Sequence, residues 1–130
     1  MIKDRNLLKM NIYVADDDET NLKLVHTVLK QSGFENVQLY SSGKTMLADV
    51  KHNCPDLLLL DIMMPGFSGY EVLEWIKRDP TLEHIPVIMI TAASLDDNLE
   101  PLKRSFEMGA MDFISRSEEH TSELQSRSDL

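Results

Sequence analysis

The stretch Leu57 to Gly66 (LLLLDIMMPG) constrains this chain more than any other. A continuous apolar run of this kind reads as a strand buried on both faces, as in a parallel sheet. It ends in one carboxylate, Asp61, followed at once by a turn containing Pro65 and Gly66. In open parallel sheets, ligands bind just beyond the carboxyl ends of the strands. Asp61 therefore stands where chemistry is expected, at the lip of a rigid strand. Taken alone, an aspartate before a Pro-Gly turn is ordinary turn chemistry. Its meaning depends on what the neighbouring strands bring to the same edge.

The rest of the chain supplies those strands. Met10 to Ala15 reads as a first strand, followed directly by Asp16-Asp17-Asp18-Glu19. A helix then begins at Thr20 or Asn21, with a stripe of Leu22, Val25 and Leu29 joined by Leu24 and Val28, and Gly33 stops it. Val37 to Tyr40 is a second strand. Ser41-Ser42-Gly43 turns into a helix through Met46, Leu47 and Val50, which Asn53-Cys54-Pro55 breaks. After the central strand, Ser68 caps a helix with apolar positions Val72, Leu73, Trp75 and Ile76, and Pro80 ends it. Ile85 to Ile90 is a fourth buried strand, closed by Thr91-Ala92-Ala93-Ser94. Asp96 to Met108 is a further helix, with Pro101 in its first turn or at a break, and Gly109 terminates it. Met111 to Ser115 is a fifth strand. Strands alternating with helices mean βαβ units and a doubly wound parallel sheet covered on both faces.

Composition narrows the function. A chain of 130 residues allows one domain with one core. No apolar run approaches the roughly 20 residues that cross a bilayer, and the first residues lack the long apolar region of a secretory signal. The single cysteine, Cys54, permits no intrachain disulfide, which fits a reducing, cytoplasmic setting. The net charge of -9, with no basic cluster, argues against this segment holding nucleic acid itself. The four histidines are scattered without metal-site spacing.

Three strand ends carry matched features: Asp16-Asp17-Asp18 after the first strand, Asp61 after the third, Thr91 after the fourth. If these strands are neighbours, all three converge on one crevice. Carboxylates gathered there repel one another, and some of their pKa values rise unless a cation neutralises them. An all-oxygen ligand set favours a hard ion, Mg²⁺ in particular. A carboxylate beside Mg²⁺ can act as a nucleophile toward a phosphoryl group, and the Thr91 hydroxyl can hydrogen-bond that group. Each residue alone has a plainer reading: acids favoured by a helix N-terminus, and a threonine at a strand end or helix cap.

The pieces IYVADDDETN, LLLLDIMMPGFSGYEVLEWIK, IPVIMITAAS and GAMDFIS resemble the receiver domain of two-component response regulators, from Lys9 through Ser115. The resemblance implies a flavodoxin-like five-stranded sheet of order 2-1-3-4-5 with its site at the carboxyl edge. It implies that Asp61 is the phosphoacceptor and that Asp16 and Asp17 are the acidic pair, Asp17 contacting Mg²⁺ directly. The metal site would be completed by the backbone carbonyl of Met63. Thr91 matches the switch hydroxyl and Phe113 the aromatic switch position. The implied partners are a histidine kinase or phosphotransfer protein and a downstream effector or fused output domain. The implied role is signalling rather than enzymatic.

The resemblance stops after Ser115. Where the family pattern has Lys-Pro and a fifth amphipathic helix, this chain has Arg116-Ser117 and a polar tail with only Leu124 and Leu130 as aliphatic residues. Arg116 keeps the charge of the family lysine but not its geometry. Residues 116 to 130 are expected to be a non-native or disordered tail, because RSEEHTSELQS resembles a translated sequencing-library adapter. The fifth helix is then missing or replaced, leaving apolar sheet surface near strands one and five exposed. Two other functions compete. Asp16-x-Asp18-x-Thr20 formally fits the nucleophile motif of haloacid-dehalogenase-type phosphatases, with Asp16 as nucleophile and Asp18 as acid. An inactive pseudo-receiver used only for protein contacts is the other. An FMN-binding protein of similar topology is weaker, since the acidic cluster would repel phosphate.

Overall fold

The structure, a computed structural model, describes residues 5–91 and 99–115. A short helix α1 (Arg5–Leu8) precedes β1 (Asn11–Ala15), α2 (Glu19–Gln31), β2 (Asn36–Tyr40), α3 (Gly43–His52) and β3 (Leu57–Asp61). Then follow α4 (Gly69–Arg78), β4 (Val87–Thr91), α5 (Glu100–Glu107) and β5 (Asp112–Ser115). The five strands are parallel and ordered β2-β1-β3-β4-β5, the order that the resemblance to receiver domains implies. The four-leucine strand β3 therefore lies in the middle of the sheet, and Leu58, Leu59 and Leu60 are all buried.

Side chains alternate between the two faces of the sheet and build two apolar layers. On one face Tyr13, Leu58, Leu60, Val87 and Met89 pack with Met46 and Val50 of α3 and Val72, Leu73 and Ile76 of α4. On the other, Ile12, Val14, Leu59 and Ile90 pack with Leu22, Val25 and Leu29 of α2. Burial of apolar side chains at roughly 25 cal/mol per Å² is the main force holding these layers on the sheet.

Local chemistry sets the helix ends. Asp18 caps α2, its carboxylate accepting from the Thr20 and Asn21 amides. This starts the helix at Glu19, one residue before the earlier of the two expected starts. At its other end Gly33 (φ 104°) lets the Phe34 amide reach the Leu29 carbonyl and its own amide reach that of Lys30, which closes the final turn. Ser42 and Ser68 cap α3 and α4 through Thr45 and Glu71.

The structure revises several expectations. Leu24 and Val28 face outward from α2, because Leu22, Val25 and Leu29 already fill the contact with the sheet. Trp75 is likewise not a core position: Val72, Leu73 and Ile76 complete the buried stripe of α4, and Trp75 is 54% exposed. β4 begins at Val87, not Ile85, since Pro86 has no amide to donate, although its carbonyl accepts from Leu58. The strand also runs on through Thr91. α5 places Pro101 in its first turn; the expected start at Asp96 lies outside the described residues, as does everything from Arg116. The four-residue α1 was not anticipated, being too short to show a period.

Candidate functional site at the carboxyl edge

β3 delivers Asp61 to the sheet edge as its last residue, and the side chain is only 7% exposed. β1 lies beside it, and the chain leaving β1 continues directly into Asp16 and Asp17. The Asp16 amide donates to the Tyr40 carbonyl at 3.0 Å, extending the β1–β2 ladder by one step and holding Asp16 on the rigid frame. Asp16 is buried and Asp17 is exposed. One carboxylate oxygen from each of Asp16, Asp17 and Asp61 lies within 4.8 Å of the others. The sequence thus identified a real cluster, formed by residues 45 positions apart.

The acidic run divides into two jobs. Asp18 is spent on the α2 cap, and its own amide donates to an Asp16 oxygen at 2.9 Å. An aspartate used this way is no free acid beside Asp16, so nothing here favours the D-x-D-x-T phosphatase reading.

The loop after β3 shapes the other side. The Met63 amide donates to the Asp61 carboxylate at 3.2 Å. The Ile62 amide continues the ladder to the Ile90 carbonyl, and the Gly69 amide returns to the Ile62 carbonyl. Gly66 turns the loop with φ 80°, a conformation that suits glycine. Gly69 matters for a different reason: a Cβ there would run into the Asp61 carbonyl oxygen and stand 3.0 Å from the Asp61 carbonyl carbon. Its role went unread in the sequence. The one available signal was a glycine directly behind a helix-capping serine, where a helix must start close to a strand end.

Burial, then the negative charge of Asp16, pushes the Asp61 carboxyl from its ordinary 3.8 up to about 7, against the opposing pull of the Met63 amide. Without a compensating cation, Asp61 thus holds its proton well above the ordinary carboxylate range. Three clustered carboxylates, two of them buried, fit a hard divalent cation with oxygen ligands.

Thr91 ends β4, next to β3, one position beyond Ile90, the residue that pairs with Asp61. It is buried. Phe113 is on β5, paired with Met89, and packs half-buried against the layer under α3 and α4. It stands two strands from Asp61 and outside the acidic cluster. The Met63 side chain points to solvent, 71% exposed. Arg116 lies outside the described residues. No described helix is long and apolar enough to cross a membrane.

Comparison with known proteins fits this geometry. The family model for the response regulator receiver domain matches residues 12–127. Response regulator PleD of Caulobacter vibrioides is 39% identical over 109 residues, 84% of this chain but 23% of PleD. Polar-differentiation response regulator DivK of Brucella abortus (strain 2308) is 35% identical over 106 residues, 82% of this chain and 83% of DivK. Among solved structures, the Mn(2+)-bound form of response regulator Rcp1 has a TM-score of 0.75 at 26% identity, covering 91% of this chain and 88% of that one. This chain belongs to the response regulator receiver family, the phospho-accepting signalling modules of two-component systems. It spans less than a quarter of PleD and most of DivK.

Proposed function

We propose that Asp61 is the phosphoacceptor, taking its phosphoryl group from a histidine kinase or a histidine phosphotransfer protein. The observation that carries this reading is the approach of the Asp16, Asp17 and Asp61 oxygens to within 4.8 Å at the end of the central strand. An Asp61 carboxylate oxygen attacks phosphorus, the phosphorus–nitrogen bond of the phosphohistidine breaks, and the imidazole leaves with the electron pair. The product is an acyl phosphate on Asp61. Rigid placement of the nucleophile and charge neutralisation are the main requirements of such a transfer.

Asp16, Asp17 and Asp61 would hold Mg²⁺, with the Met63 backbone carbonyl as the further ligand that the family resemblance implies. Bound there, the ion neutralises the clustered carboxylates and the incoming phosphoryl oxygens. The likeness to Rcp1, whose structure is described as Mn(2+)-bound, supports a divalent site. The negative charge of Asp16 favours the protonated form of Asp61, so a cation sharing the cluster would return the nucleophile to its ionised form.

Thr91 then hydrogen-bonds the phosphoryl group, Phe113 turns inward on β5, and the outer surface shifts between two states. In the sequence Arg116 falls at the family lysine position, and as part of a non-family tail it is no equivalent of that lysine. The altered surface is read by an effector protein or a fused output domain, and the reaction belongs to the cytoplasm.

The test is intact mass after incubation with phosphoramidate and Mg²⁺. A phosphate-sized gain is expected that requires Mg²⁺, is lost in Asp61→Ala, and is strongly reduced in Asp17→Asn. No gain with a folded chain points to an inactive pseudo-receiver or to a pocket impaired by the non-family carboxyl end, and repeating the test with Lys-Pro and a fifth helix restored separates the two.

A further inference from the structure

Trp75 is a large aromatic side chain with no place in the core of α4, yet it is not simply adrift in solvent. Two grooves of about 330 and 280 Å³ flank it, and both share Phe67 and Trp75 in their walls. The Asp16–Asp17–Asp61 cluster lines neither. Gly43 makes the arrangement possible: a Cβ there would stand 2.5 Å from Val72 and 3.1 Å from Phe67, so its absence lets the start of α3 close against α4.

The two walls carry opposite charge. On the α3 side stand Lys44 and Lys51, seven residues and therefore about 10 Å apart along one helix face. Lys51 lies over the Trp75 ring, its Nζ 5.2 Å from the centroid. On the α4 side stand Glu71 and Glu74, with Arg78 in the same wall paired to Glu74 at 2.7 Å, so this wall is acidic chiefly through Glu71. Asp79, the acid beyond α4, is occupied by the Thr81 amide and hydroxyl at 2.8 and 2.7 Å. The Glu74–Arg78 pair is solvent-exposed and contributes little that a partner must replace.

We propose that these grooves dock an amphipathic helix of a partner protein. Its apolar row lies over Trp75 and Phe67, its acidic edge meets Lys44 and Lys51, and its basic edge meets Glu71 and Glu74. Exposed tryptophan in a groove between helices is the anchor type that dominates binding energy, and helix-in-groove docking uses such an anchor. The polarised walls select a helix with charge divided along its two edges. A second copy of this chain is a poor occupant, because each carries a net charge of -9.

Trp75 is the only tryptophan in the chain, so its emission reports contact directly. The probe is a fluorescein-labelled stapled helical peptide with a leucine row, glutamates along one edge and lysines along the other. Anisotropy is expected to rise saturably with the full chain. With unlabelled peptide, Trp75 emission is expected to shift to the blue over the same range. Trp75→Ala and the double variant Lys44→Glu/Lys51→Glu each weaken binding by about tenfold or more. Both sites are exposed, so melting curves stay close to wild type and separate lost docking from lost fold. A peptide with glutamine in place of leucine gives no shift. Absence of saturable binding, binding without a Trp75 shift, or binding that both variants leave intact overturns the proposal.

Discussion

Gly69 packs its bare Cα against the backbone of Asp61, so the first residue of α4 and the last residue of β3 share a space that no side chain can enter. The contact ties the position of α4 to that of Asp61. The Asp61 carbonyl cannot yield, because the Ile62 amide is bonded to Ile90 and the Ile62 carbonyl to Gly69 itself. A Cβ at position 69 must therefore push α4 outward or tilt the end of β3.

Gly69→Ala is expected to destabilise the fold by about 1–3 kcal/mol, the usual cost of overpacking, despite alanine's better helix propensity. It should also lower the rate of Mg²⁺-dependent mass gain from phosphoramidate. Denaturant titration and the labelling time course measure the two effects. Unchanged labelling would mean that the Asp61 position does not depend on this contact.

The Asp61 carboxyl sets a pH dependence with a definite sign. Its value is raised to about 7 in the fold from an ordinary 3.8, so the folded state binds this proton more tightly than the unfolded chain. The stabilisation is fully present below about pH 4 and is lost as pH rises through about 7. Asp61→Asn removes the titration. Without metal, the variant's advantage in melting temperature over wild type should grow from pH 4 to pH 7 and then level off. Mg²⁺ should shrink that gap at pH 8. A gap independent of both pH and Mg²⁺ would show that the cluster is not coupled as described.

The strands, the two faces and the acidic cluster were legible in the sequence because each rests on a repeated or localised signal, whereas the strand order followed only from the resemblance to receiver domains. Leu57 to Leu60 marked the central strand, and the carboxylates appeared at the ends of apolar runs. Residues that act through contact rather than chemistry were harder to see. Gly69 reads as one more glycine near a turn, and its meaning depends on how closely α4 starts above Asp61. Trp75 fits the helical period well enough to pass for core, but three aliphatic neighbours already filled that face. Asp18 looked like a third member of the acidic site, yet capping geometry claims its carboxylate. The position of β4 was misread by two residues because Ile85 and Pro86 are apolar, and apolar character alone does not report a missing amide.

The α2 face of the sheet bears on the expected fifth helix. β4–β5 register puts Ile114 on the same face as Ile90, and Ile114 is 47% exposed while Ile88 is half-buried. Replacing the segment from Arg116 onward with Lys-Pro and an amphipathic helix should cover this apolar surface. Each aliphatic side chain so buried is worth about 1.5–3 kcal/mol when covering is complete. The melting temperature should rise, and binding of a hydrophobic dye should fall. No rise in melting temperature would show that this face gains nothing from such a helix.

In the proposed mechanism, Thr91 separates phosphorylation from its readout. It sits on β4 beside the strand that carries Asp61, contributing a hydroxyl but no carboxylate, so its loss should leave the acidic cluster intact. Thr91→Ala is expected to reduce stability by about 1 kcal/mol, an ordinary cost for a lost hydroxyl contact. Labelling of Asp61 should persist. In the wild type, phosphorylation should change amide hydrogen exchange along β5 around Phe113, as the switch moves from one packing to another. That change should vanish in Thr91→Ala and survive in Thr91→Ser, which keeps the hydroxyl. A full exchange response in Thr91→Ala would transfer the coupling from this hydroxyl to some other contact along β4.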